Sequence, residues 1–391
     1  MPARLRTRRR LATAAAVVAV VAVPAGFAGT PPAAGSSPAP AASPAPGTPV
    51  APVTQVNQSA NGGDNPKIGT VPDTATLGVP NPGTVPVVGL ATATADDGAR
   101  VLYETRVDAR TIDLMVSSPA LGGAAPVRLM LPAAWASSPG AQFPALYLIH
   151  GCCEKADYQS WSLYTDVETL TADKNVLVVM PSDGSAGFGT NWWNFGAPHK
   201  GWNYDTFIAT ELPQILRAGY RASGRAAIAG ASIGGYAALA LAALHPGRFA
   251  AAASYSGLLN TQTPVVSTEI LGILAREGRN PLAMWGDPAL LALQWLYTNP
   301  AAQLWRLTNV GLFVSAGNGS PGPLDPPGRE SDLLDAITLA NSTTFVNLAR
   351  LSGLRPTVDF YGAGTHSWPY WNRELARSWP VLAAGLGLPA T

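Results

Sequence analysis

Ser232 lies in Gly230-Ala231-Ser232-Ile233-Gly234-Gly235, a Gly-x-Ser-x-Gly pentapeptide with a further glycine behind it. Residues 226–229 before it are a short apolar run that reads as a buried strand, and residues 236–244 after it, rich in Ala and Leu, read as a buried helix. A serine on so sharp a strand-to-helix turn has its Oγ exposed, and glycines are needed where side chains would crowd the turn. The helix that starts there points N–H groups at any negative charge forming nearby. The implied chemistry is attack by an activated hydroxyl, which requires a base, an acid to orient that base, and donors for an oxyanion.

Four histidines could supply the base. His245, in Leu244-His245-Pro246, closes the helix after the serine turn; His199 lies in a polar loop ahead of the nucleophile; His150 ends an apolar run. His366, in Gly362-Ala363-Gly364-Thr365-His366, comes last in the chain, in the order Ser, acid, His expected of this motif, and is the expected base. Asp325, Glu330, Asp332, Asp335 and Asp359 all lie between Ser232 and His366, so order alone leaves the acid open. A position directly after a strand favours Asp325, while Asp359 falls within a strand and is the poorest candidate. The oxyanion should be held by the Ile233 amide together with one from His150-Gly151-Cys152-Cys153, namely that of Cys152. A cysteine nucleophile is the rival reading, but it would need its own adjacent base.

These groups need a scaffold that brings strand ends together. Strand-like runs occur at residues 110–116, 127–131, 145–150, 176–180, 226–229, 250–255, 310–315 and 357–361. The early runs are closely spaced, as in antiparallel hairpins; from residue 145 the spacing admits crossover helices and a parallel sheet. The expected fold class is α/β: an α/β-hydrolase fold with a mostly parallel eight-stranded sheet flanked by helices, its catalytic groups on loops at the carboxyl ends of the strands. Residues 267–309 form an insertion between the sixth and seventh runs. Apolar residues there recur at helical spacing (Ile270, Leu271, Ile273, Leu274, then residues 289–296), giving packing helices or a lid over an apolar channel. Gly317-Asn318-Gly319-Ser320-Pro321-Gly322 matches a dinucleotide fingerprint, but Pro321, Pro323, Pro326 and Pro327 forbid the helix it requires, so it is read as a loop.

The chain of 391 residues holds 36 prolines and 40 glycines. Residues 1–10 carry five arginines; residues 11–23 are apolar or Thr and end at Pro24, too short to span a bilayer. Residues 1–28 therefore read as a signal peptide, with Gly26-Phe27-Ala28 as a small-x-small cleavage site, and Thr7-Arg8-Arg9-Arg10-Leu11 permits twin-arginine export. Residues 29–97, rich in Pro, Ala, Ser, Gly and Thr, read as a disordered linker, leaving residues 98–391 as the catalytic domain. Without the leader's arginines the balance is 20 basic against 24 acidic residues, which offers no basic patch for nucleic acid. Cys152 and Cys153 are the only cysteines, so there is no disulfide framework and no spaced metal pair; they read equally as a vicinal disulfide or two free thiols. No cofactor or metal is expected, and location is expected to be secreted or at the cell envelope.

Beyond the serine motif, several strings resemble the secreted mycolyltransferases of the antigen 85 family, within the broader esterase branch of α/β-hydrolases. The strongest is Gly364-Thr365-His366-Ser367-Trp368-Pro369-Tyr370-Trp371. Others are Tyr158-Gln159-Ser160-Trp161, Ser256-Gly257-Leu258-Leu259-Asn260, Met284-Trp285-Gly286 and Gly317-Asn318-Gly319, and the similarity extends over most of residues 105–388. The resemblance implies Asp335, in Leu333-Leu334-Asp335-Ala336-Ile337-Thr338-Leu339, as the triad acid, with aspartate where the family usually has glutamate. It also implies acyl transfer from an acyl ester to a sugar or glycerol hydroxyl, with a carboxylesterase using water as the alternative and a non-catalytic surface adhesin as a third reading. At the oxyanion loop the family usually has Asp-Gly-Leu-Arg, whose acid helps hold trehalose. This chain has His150-Gly151-Cys152-Cys153 there, so His150, with Trp368 beside His366, is the expected substrate-binding pair.

Overall fold

Alternating and continuous apolar runs set the sheet. A computed structural model describes residues 93–154, 157–197 and 201–390. The signal peptide, all but the last five residues of the expected linker, and His199 lie outside the described residues. β1 (Arg100–Arg106), β2 (Thr111–Ser118) and β3 (Gly123–Met130) form an antiparallel meander, and β2 alternates buried and half-buried side chains as a one-faced strand should. β4 (Phe143–Ile149), β5 (Leu177–Pro181), β6 (Ala222–Ala231), β7 (Ala251–Tyr255), β8 (Gly311–Ala316) and β9 (Thr357–Phe360) follow. The order across the sheet is β1-β2-β3-β5-β4-β6-β7-β8-β9; β3 meets β5 antiparallel, and every pairing from β5 onward is parallel.

The sheet thus has nine strands among the described residues, one more than the eight expected. The addition is the edge strand β1, whose RVLYETR sequence carries three charged residues and only a weak alternation. Its Glu104 is nevertheless buried and accepts the Tyr220 hydroxyl at 2.5 Å. The packed region also begins before residue 98. Ala93 is fully buried, and its Cβ is 2.7 Å from where a Cβ on Gly219 would stand.

The helices are α1 (Ser160–Tyr164), α2 (Val167–Leu170), α3 (Tyr204–Thr206), α4 (Leu212–Gly219), α5 (Ile233–Leu244), α6 (Pro264–Arg276), α7 (Ala292–Thr298), α8 (Leu333–Leu351) and α9 (Trp368–Leu386). Successive residues of the central strands feed opposite layers. Ile228 and Ala252 pack with α5, while Ala227, Ala229, Ala251 and Ala253 pack with α9. Small side chains let that second layer approach closely: a Cβ on Gly385 of α9 would stand 2.5 Å from the Ala251 Cβ. The inserted helices fall where expected, between β7 and β8. α6 buries Val266, Ile270, Ile273 and Leu274, whereas α7 buries Trp295 and leaves Leu293 and Tyr297 exposed.

Candidate active site

The serine turn is formed by close backbone approach. A Cβ on Gly230 would stand 2.2 Å from the Gly234 carbonyl oxygen, and one on Gly234 would stand 2.3 Å from the carbonyl oxygens of both Ile149 and His150. Either would collide with backbone, so these two glycines allow β6 to turn directly into α5 beside the end of β4. Ser232 takes the consequence, with φ 56° and ψ −120°, a conformation costly for a residue with a side chain. Its amide donates to the Tyr255 carbonyl at 2.8 Å, tying the turn to the end of β7.

Asp335 stands in the first turn of α8 and is fully buried. Its Oδ1 accepts from the Thr338 hydroxyl at 3.1 Å and faces His366 Nδ1 at 3.1 Å; Oδ2 accepts the Gly317 amide at 2.9 Å. A carboxylate can only accept, so Nδ1 carries the proton and Nε2 is left as the free ring nitrogen. Nε2 is buried with no hydrogen-bond partner among the described residues. The imidazole is braced edge-on by Trp371, with ring centroids 4.9 Å apart and planes at 87°. Trp371 in turn lies near Gly151: a Cβ there would be 3.5 Å from the Trp371 ring and 3.7 Å from the Ser232 Cβ. The serine turn, the turn after β4 and the loop carrying His366 therefore converge at one place.

The rival acids have other work. Asp325 accepts from the Gly322 amide and the Tyr370 hydroxyl, both at 2.8 Å, and from the Thr365 hydroxyl next to His366. Asp332 caps α8 through the Leu334 amide at 2.9 Å and also takes the His366 amide at 3.2 Å. Asp359 pairs with Arg377. His245 ends α5 and meets Asp205 at 2.8 Å.

In the turn after β4, Cys152 and Cys153 are disulfide-bonded, which removes the thiolate a cysteine nucleophile would need. Among the described residues, Cys152, Cys153 and Glu277 are the one group with metal-ligand types close together, and the disulfide takes both sulfurs out of that role. The Cys153 amide donates to Ser185 O at 2.7 Å; the Cys152 amide has no backbone partner among the described residues.

Of the two residues expected to hold substrate, Trp368 lies in the aromatic cluster beside His366, whereas His150 is buried. His150 is fully buried and turned onto its own support: Nδ1 donates to the Gly151 carbonyl at 2.5 Å, and Nε2 lies 3.3 Å from Asp157 Oδ2. Burial alone would lower its pKa, but the Asp157 and Asp183 carboxylates outweigh this and raise it to about 9. Asp183, in the same pocket, is pushed by burial up to about 7 against the pull of His150. His150 is thus buried, with its ring held between the Gly151 carbonyl and Asp157. Trp368 forms an aromatic wall with Trp161, Trp371 and Tyr164, and its indole N–H donates to Glu154 Oε1 at 3.1 Å.

Sequence reasoning passed over three contributors. Asp332 was counted only as a rival acid, although its place just before a helix is a cap signal. Gly317 was set aside with its loop, yet a Cβ there would stand 2.6 Å from Asp335 Oδ2 and 2.4 Å from Gly364 O. Nothing in the sequence gives Trp371 a role; the fold sets it edge-on to His366.

A mostly parallel sheet flanked by helices, with the serine turn after β6, is the α/β-hydrolase fold. Residues 118–382 match the family model described as Putative esterase, and the chain belongs to that family. It is 33% identical over 285 residues to the diacylglycerol acyltransferase/mycolyltransferase Ag85B of Mycolicibacterium smegmatis, covering 70% of this chain and 85% of that protein. To the similarly named Ag85C of Mycobacterium leprae it is 34% identical over 250 residues, 61% of this chain and 73% of that one. Among solved structures, MPT51 of Mycobacterium tuberculosis superposes with a TM-score of 0.59 at 29% identity, over 70% of this chain and 97% of that one. An S-formylglutathione hydrolase from Agrobacterium tumefaciens shares the fold, with a TM-score of 0.55 at 14% identity, 73% and 99% covered. The family and the two Ag85 relatives make this chain an acyl-ester enzyme. No helix among the described residues is long and apolar enough to cross a membrane.

Proposed function

We propose that the protein is an exported serine acyltransferase that moves a long-chain acyl group from an ester to a sugar or glycerol hydroxyl through an acyl-enzyme on Ser232. The observation that carries this reading is the buried Asp335–His366 pair, 3.1 Å apart, with His366 in a loop that converges on the serine turn. In the proposed cycle His366 Nε2 takes the Ser232 proton as Oγ attacks the ester carbonyl. The Ile233 and Cys152 amides receive the oxyanion, and the alcohol leaves with the proton from His366. An acceptor hydroxyl then attacks the acyl-enzyme by the same steps reversed. Asp335 holds Nδ1–H and stabilises the imidazolium.

Transfer in preference to hydrolysis draws support from the names of the relatives, which are acyltransferases. It also draws support from the aromatic wall of Trp161, Trp368 and Trp371 around the site, since excluding water gives a bound alcohol the advantage of effective molarity. Export rests on the arginine-rich, apolar leader. The test is product analysis with a long-chain acyl ester, with and without trehalose, glucose or glycerol. An acylated polyol as the main product is expected; free fatty acid as the sole product with every acceptor would replace the transferase by a carboxylesterase.

A further inference from the structure

The chain's only cysteines are neighbours, and they are joined at the turn that leaves β4. Cys153 has φ 78°, in the left-handed region that residues with a side chain rarely occupy. Two ties oppose its relaxation: the bond to Cys152, and its amide's hydrogen bond to Ser185 O. One residue upstream, Gly151 stands against Ser232, so a shift of this turn is felt at the serine. The pair is also chemically addressed. Both cysteines are half-buried, and Arg276 Nη2, at the end of α6, lies 3.6 Å from each sulfur.

We propose that the Cys152–Cys153 disulfide is a reversible redox-modification site that holds the Cys152 amide in place beside Ser232, so that acyl-ester turnover is high with the pair bonded and low with the pair reduced. This rests on the reading of Ser232 as nucleophile and Cys152 as oxyanion donor. The reductant is a dithiol. Its thiolate attacks one sulfur, the intramolecular S–S bond breaks, and the other cysteine departs as a thiolate beside the Arg276 guanidinium before taking a proton from solvent. The reductant's second thiol then displaces the remaining cysteine and leaves as a disulfide, so two electrons and two protons pass to the protein. Once the S–S bond is broken, one of the two ties holding Cys153 at φ 78° is gone, and as it relaxes the Cys152 amide, one residue upstream, moves with it.

The experiment uses the full-length chain, dithiothreitol as the dithiol, a p-nitrophenyl ester for turnover, a fluorophosphonate for Ser232, and alkylation with mass analysis to count thiols. Reduction should expose two alkylatable cysteines and lower kcat at least tenfold, toward the roughly 10²-fold loss that follows removal of one oxyanion donor. Oxidation should restore it, which irreversible unfolding would not. Cys153→Ser should start at the low level and ignore dithiothreitol. The proposal is overturned if two thiols appear with turnover unchanged, if the pair resists dithiothreitol in the native protein, if activity does not return, or if Cys153→Ser matches the bonded wild type. If neither form turns over the ester or labels at Ser232, the underlying serine-enzyme reading fails first, and this one with it.

Discussion

His366 Nδ1 lies 3.1 Å from Asp335 Oδ1, joining the loop after β9 to the first turn of α8. Neither partner is adjustable: Thr338 and Gly317 hold the carboxylate, while Asp332 and Trp371 hold the histidine. The imidazole is thereby fixed in one tautomer with Nε2 free.

Asp335→Asn should leave the fold intact and lower kcat by about 10⁴-fold, because an amide can present its N–H to the ring and favour the wrong tautomer. Asp325→Asn should lower kcat much less, since Asp325 reaches the site only through Thr365, Tyr370 and the 322–325 turn. Steady-state kinetics on both variants, with circular dichroism as the folding control, checks the order; the reverse order would move the acid to Asp325.

Gly317→Ala should lower both stability and kcat. The new methyl meets a carbonyl oxygen and the Asp335 carboxylate at once, and crowding of this kind costs about 1–3 kcal/mol. Denaturant unfolding and kinetics should both respond. A variant with wild-type kcat would show that Asp335 tolerates displacement.

His150→Gln should destabilise the protein by about 3 kcal/mol at pH 6, because it leaves the buried Asp157 carboxylate without its cation. The folded pKa of His150 is raised, to about 9 from an ordinary 6.5, so its contribution is fully present below pH 6.5 and lost as pH rises through 9. The gap between variant and wild type should narrow between pH 6.5 and 9.5. A gap that is constant with pH would mean that His150 is neutral in the folded state.

The parallel half of the sheet was legible because strands buried on both faces are unbroken apolar runs, and the serine turn because its glycines answer to steric need. β1 was not, since a bulge between Val101 and Tyr103 breaks its alternation and one of its charged residues, Glu104, faces inward. At the site, residue type and order singled out Ser232 and His366, whereas five carboxylates competed for one place. Choosing among them needs to know which helix begins beside the histidine loop, a tertiary fact. The state of Cys152 and Cys153 was equally hidden, since adjacency permits a bond without requiring it. The burial of His150 was hidden for a related reason: its place in the chain beside Gly151 says nothing about Asp157, seven residues on, which lies against its ring.

The central claim is that one serine carries the acyl group. Fluorophosphonate treatment of the wild type and of Ser232→Ala, followed by intact-mass measurement and peptide mapping, tests it most directly. The account predicts a single adduct on the wild type, mapped to Ser232, and none on the alanine variant, with turnover lost in parallel by about 10⁴-fold or more. An adduct that persists in Ser232→Ala, or that maps to another residue in the wild type, would contradict it.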